Sequence, residues 1–196
     1  MIAKTRGPRR RGPAIAFVRQ SPRWRALPRA AVMVRKALAA AAALCGPQAR
    51  EGEVTMVLAD DAAIRRLNRQ WRGKDRATNV LSFPAPTLPG PAGAPRSLGD
   101  IVIAYECLTR EAKAESKPPL AHLAHLAVHG FLHLLGYDHE SEAEAEQMEN
   151  LERRILRQLN LPDPYVERTA RSEPRSAARR RGRRPAGPAG AAPAGH

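Results

Sequence analysis

The chain has 196 residues, enough for one domain with a substantial core, and only 4% are aromatic, so that core must rest on Leu, Val, Ile and Ala. The formal charge of +14 sits at the ends: residues 1–36 hold eleven Lys/Arg and no acid, residues 167–196 hold eight Arg and two Glu, and the stretch between is net −3. No run reaches the ~18 apolar residues of a membrane span, and two distant cysteines, Cys45 and Cys107, without CxxC spacing point to free thiols in a reducing compartment.

Residues 1–13 are Arg/Gly/Pro-rich and read as a disordered basic arm. Ala14–Val18 is a short apolar run, expected to be a strand. Residues 29–44 are Ala/Leu/Val-rich and end at Gly46 and Pro47, which predicts a helix. The apolar stretch Ala37–Cys45 lies too far from the start for a secretion signal, and Leu44 is wrong for a lipoprotein cleavage site. Glu53–Ala59 alternates around Val54, Met56 and Leu58 and reads as a strand. Asp60 is placed to cap a helix from Asp61 to about Trp71, with Ile64, Leu67 and Asn68 on one face. The polar loop Arg72–Thr78 leads to an expected strand, Asn79–Phe83. Pro84–Pro95 holds five Pro and two Gly and reads as an irregular loop. Asp100–Ala104 is another strand.

The second half turns helical. Tyr105–Ser116 and Leu120–Leu135 are expected helices. Ser141 is placed to cap a third, to about Leu159, with Glu142, Glu144 and Glu146 in the first turns, where the helix dipole favours acids. Strands early and helices late, in one mixed sheet, predict an α+β domain over residues 14–166. Residues 167–196 read as a disordered Arg/Ala/Pro/Gly-rich tail. Such basic ends suit polyanions, RNA above all; a merely solubilising tail is the equal alternative.

Five of the six histidines fall within the window 122–139. His129 and His133 stand at i and i+4, so both imidazoles leave one helical face. Gly136 lets the helix end in a left-handed turn that can swing His139 back toward them. Three neutral imidazoles around one Zn²⁺, with a fourth position open, is the layout of a catalytic zinc site. The spacing is that of the metzincin proteases, which carry Glu, their general base, directly after the first His. Here that position is Gly130, which cannot accept a proton.

A wider set of residues resembles one bacterial family. Arg72-Gly73-Lys74-Asp75, Thr78-Asn79-Val80-Leu81-Ser82-Phe83, Gly99-Asp100-Ile101, His125-Leu126, the string His129-Gly130 to His139, Met148 and Glu152 are similar to the YbeY endoribonucleases, over residues 14–166. The resemblance implies a zincin-like α+β fold: a small mixed sheet packed with helices, the metal site on a helix of the C-terminal half and the turn after it. It implies a single-strand-specific, zinc-dependent endoribonuclease active in 16S rRNA 3′-end maturation and ribosome quality control. It implies a bacterial cytoplasmic protein with no membrane association, working on rRNA and the small ribosomal subunit, with a ribosome-assembly GTPase and a small-subunit ribosomal protein as partners. Carried over, the ligands to one Zn²⁺ are His129, His133 and His139, and the functionally important arginine is Arg72. The basic ends are extra to the family pattern.

Three His bring no negative charge, so zinc keeps its full +2 and acidifies bound water; attack by the resulting hydroxide and Lewis-acid activation of a phosphate oxygen both remain open. A guanidinium at Arg72 suits the equatorial oxygens of a phosphoryl transition state, and with Gly130 favours phosphodiester over peptide hydrolysis. Around these, His125 reads first as a satisfied core residue and second as a partner or proton shuttle, and His122 as a surface residue. Asp138 either orients an imidazole or caps the following helix. Thr78, Asn79 and Ser82 line a cleft or are ordinary strand residues. Lys74 and Arg76 hold the RNA backbone or are solvated charges, and Cys107 is buried packing. Two rival functions stand: a zinc peptidase, and a non-catalytic ribosome-assembly factor with a structural zinc.

Overall fold

The computed structural model describes residues 12–86 and 96–165, and both basic ends and most of the Pro-rich loop lie outside them. Four strands form one sheet in the order β1-β2-β4-β3: β1 (Ala14–Arg19), β2 (Glu53–Ala59), β4 (Ser97–Ala104) and β3 (Val80–Pro84). β1 and β4 run parallel to β2, and β3 closes one edge antiparallel to β4. The α+β expectation with a small mixed sheet holds.

The pleat sends alternate residues to opposite faces. Val54, Met56, Leu58, Ile101 and Ile103 face the main core, where they meet α1 (Ala30–Cys45), α5 (Pro119–Leu134) and α6 (Glu142–Gln158). Val102, Ala104 and Leu81 belong to a second, smaller core with Ile64 of α3 (Asp61–Arg72) and Cys107 of α4 (Tyr105–Ala114). β4 is thus buried on both faces, as its continuous apolar run Ile101–Ala104 demands.

The caps fall where the sequence puts them. The Asp60 carboxylate accepts the Ala63 N–H at 2.8 Å at the start of α3. Ser141 opens α6 with a reciprocal capping box, its N–H donating to Glu144 Oε2 at 3.0 Å. Two short pieces escape the sequence reading: a 3-10 turn at Pro22–Ala26 and the five-residue helix α2 (Pro47–Glu51), which follows Gly46 directly instead of a loop. Pro84, expected to open the irregular loop, is the last residue of β3. Among the described residues no helix is long and apolar enough to cross a membrane.

Candidate metal centre

α5 is apolar almost all round, with Leu123, Ala124, Leu126, Ala127, Val128, Phe131 and Leu132 buried. Past its first residues the helix is buried except along the stripe of His125, His129 and His133, so its backbone is held in place while these rings stay partly open. It ends in a Schellman turn: Tyr137 N–H donates to the Leu132 carbonyl at 3.1 Å and Gly136 N–H to that of His133 at 3.1 Å. Gly136 has φ 88°, a conformation costly for any residue with a Cβ. The chain thereby reverses, and the His139 ring stacks 5.7 Å from that of His129 and stands edge-on 5.0 Å from that of His133.

The three imidazoles form one group, each offering a nitrogen within 4.8 Å of the others. His129 Nε2 and His133 Nε2 are 3.2 Å apart. Two nitrogens bound tetrahedrally to one zinc at ~2.0–2.1 Å stand roughly 3.3 Å apart, so the pair already has the spacing of shared coordination. Burial, followed by the neighbouring His129 and His139, lowers the pKa of His133, which favours the neutral, ligating ring.

Behind the cluster lies Glu152 of α6, fully buried. His129 Nδ1 donates to its Oε1 at 2.8 Å and His125 Nε2 to its Oε2 at 3.0 Å. The first bond keeps the proton on Nδ1 and turns the Nε2 lone pair of His129 toward His133 and His139, the arrangement that carboxylates impose on metal-binding histidines. Burial alone would raise the Glu152 pKa; the bonds from both rings outweigh it and hold the carboxyl at about 2, so the group is an anion. In the sequence Glu152 stands only among the residues of the family resemblance, with no role of its own. Its signal is positional: Met148, Glu152, Ile155 and Leu156 share one buried face, and an acid among three apolar residues needs a partner. His125, read chiefly as core, is that carboxylate's second partner.

Gly130 is where α5 presses on the sheet. A Cβ there would lie 2.9 Å from Ile101 Cγ2, 2.9 Å from Ser82 Oγ and 3.4 Å from Val80 Cγ2. The position that carries the protease base in metzincins is here a helix-to-sheet contact with no room for a side chain.

The other candidates are scattered. His122 is a correction: expected at the surface, it is 5% exposed and donates from Nε2 to Glu111 Oε2 at 2.9 Å. Asn79 joins the same carboxylate through Nδ2 at 2.9 Å and accepts the Val80 N–H through its own Oδ1 at 2.7 Å. Asn79 therefore ties the start of β3 to α4. Asp138 accepts the His139 N–H at 2.8 Å, while its Oδ1 stays 3.9 Å from His133 Nδ1, too long for a hydrogen bond; the helix cap is Ser141. Thr78 is half-buried, and Ser82 faces α5. Cys107 is buried as expected. Arg72, Lys74 and Arg76 are exposed.

The model of one protein family, Endoribonuclease YbeY, matches residues 22–160. A protein of Rhodopseudomonas palustris (strain BisA53) named Endoribonuclease YbeY is 57% identical over 146 residues, covering 74% of this chain and 85% of that one. Proteins of the same name from a Bradyrhizobium species (strain BTAi1) and from Nitrobacter winogradskyi are 55% and 57% identical, covering 74% and 73% of this chain and 88% and 77% of theirs. A solution structure of a Thermotoga maritima protein aligns over 83% of this chain and 99% of that one at 20% identity, with a TM-score of 0.40.

Proposed function

The chain belongs to the YbeY endoribonuclease family, and from that premise we propose that it is a metal-dependent endoribonuclease cutting single-stranded RNA, with Zn²⁺ held by His129, His133 and His139. The observation that carries this reading is the convergence of the three imidazoles, with the nitrogens of two already at the spacing of shared coordination. An ion held by three neutral rings keeps its charge of +2 and supplies Lewis acidity toward a phosphate oxygen or a water.

The chain's own residues do the rest. Glu152 fixes the tautomer and direction of His129 and is shared with His125. Gly130 leaves the position after the first histidine, where metzincins carry their base, without a carboxylate, which disfavours peptide hydrolysis. Arg72 supplies a cation for phosphate oxygens, a role its exposure at the end of α3 leaves it able to take up. A strand antiparallel to the rest of the sheet, packed against the metal helix at its edge, supports the zincin-like reading of the fold.

The proposed substrate is rRNA, at the 3′ end of 16S rRNA and in ribosome quality control. The proposed setting is the bacterial cytoplasm, beside the small ribosomal subunit, a ribosome-assembly GTPase and a small-subunit ribosomal protein. The basic ends at 1–13 and 167–196 add affinity for RNA without selectivity.

The test is cleavage of a labelled single-stranded RNA by the metal-loaded chain and by His133→Ala, purified in parallel. Cutting by the first and not the second is expected. Equal results with both, at the level of buffer, would move the assembly-factor reading to the front, and hydrolysis of casein by the wild type would revive the peptidase.

A further inference from the structure

The two tryptophans have opposite environments. Trp24 is 1% exposed and its indole N–H donates to the Ala59 carbonyl at 2.8 Å. Trp71 is 64% exposed. It continues the apolar face of α3 after Ile64, Leu67 and Asn68, but one turn past the end of the core. Its only ring contact among the described residues is with half-buried Phe83, edge-on at 5.9 Å, and most of its surface is open to solvent.

The ring sits among cations. Arg65, Arg69 and Arg72 follow at i, i+4 and i+7, a single stripe along the outer side of α3, with Arg66 beside it and Lys74 and Arg76 in the next loop. Arg65 is held by Asp75 in a bidentate pair, 2.8 Å at each oxygen. Arg66, Arg69, Arg72, Lys74 and Arg76 make no ion pair among the described residues.

β3 connects this corner to the metal helix. Phe83 and Ser82 are neighbours on the edge strand and point to opposite faces of the sheet. Phe83 touches Trp71, and Ser82 lies against Gly130, the residue after the first metal ligand. The exposed indole and the histidine helix therefore lie on opposite faces of the sheet at the same edge strand, so that a strand of RNA rounding that edge would meet both.

We propose that Trp71 is a stacking platform for a nucleobase of the RNA substrate, with Arg69 and Arg72 on the flanking phosphates. The proposal rests on the nuclease reading above and deepens it. An indole face offers a base of any identity a stacking surface, and nearby guanidinium groups track the backbone, the combination that sequence-tolerant single-strand binders use. In a duplex the bases are stacked on each other and present no free face. Trp71 is thus a source of preference for single strands, separate from the metal chemistry.

The experiment compares wild type, Trp71→Phe and Trp71→Ala for equilibrium binding of a labelled uridine-rich single strand and of a duplex, across salt, with steady-state cleavage alongside. Trp71→Ala is expected to weaken single-strand binding about 10-fold and raise KM with little change in kcat. Trp71→Phe recovers most of the loss, duplex binding stays within about twofold, and the salt slope does not move. Single-strand and duplex affinities falling together, an alanine variant equal to wild type, or a phenylalanine variant as weak as alanine would each overturn the proposal while a cutting wild type keeps the nuclease reading. A wild type that neither binds nor cuts RNA overturns both.

Discussion

Glu152 is buried and charged at once, which a protein tolerates only when both oxygens are used. His125 and His129 use them, so one carboxylate both settles its own burial and sets the direction of the His129 ring. Glu152→Gln keeps the shape but loses the negative charge that draws the Nδ1 proton of His129. Metal affinity is expected to fall about 10- to 100-fold, read by competition with a chelator. Glu152→Ala leaves two rings without a partner and should cost about 3–5 kcal/mol in urea unfolding. Acid acts on the same group. Its folded pKa of about 2 lies below the ordinary 4.5, so its stabilisation is complete above pH 4.5 and is lost as pH falls toward 2. The metal-free chain should lose stability across that window, and Glu152→Gln should lose less there; equal acid sensitivity of the two would remove Glu152 from the account.

Between elements, the site depends on how closely α5 lies against β3 and β4, and Gly130 sets that distance. Gly130→Ala gains about 1 kcal/mol of helix propensity, but its Cβ meets Ile101 and Ser82 at 2.9 Å, so overpacking of about 1–3 kcal/mol should outweigh the gain. Thermal unfolding decides: a higher Tm for Gly130→Ala would mean that the strand yields. Gly130→Glu restores the metzincin pattern in sequence only, and should lower Tm without any casein hydrolysis. The glycine was legible in sequence as a missing base; that it is also a packing contact was not, because the partners come from strands 30 and 50 residues earlier in the chain. His122 fails to follow expectation for the same reason. Its burial comes from Glu111 on α4 and from the packing around its face of α5, neither of which a local reading of five histidines displays. Elements with a capping signal, such as α3 after Asp60 and α6 after Ser141, were legible to within a residue or two, whereas the five-residue pieces at Pro22 and Pro47 are too short to show a period.

For the molecule as a whole, charge is divided between body and ends, and the two should act on RNA differently. The three-histidine cluster was legible because its spacing is local, i to i+4 and a turn. The surface that would carry the substrate was not, since it joins α3 to the edge strand across the sheet. Residues 171–196 hold seven arginines and one glutamate. Each phosphate neutralised on a single strand adds about 0.7 to the slope of log K against log salt. Deleting 171–196 should therefore flatten that slope, by up to about five units if every arginine is engaged, while leaving the preference for single strand over duplex intact. Trp71→Ala should do the reverse, keeping the slope and erasing part of the preference. A deletion that leaves the slope unchanged would take the tail out of RNA binding, and the affinity that persists at high salt would then belong to the body, where residues 14–166 carry 20 Lys/Arg against 17 Asp/Glu, so that stacking and a few local cations on α3 are left to hold the strand near the three histidines.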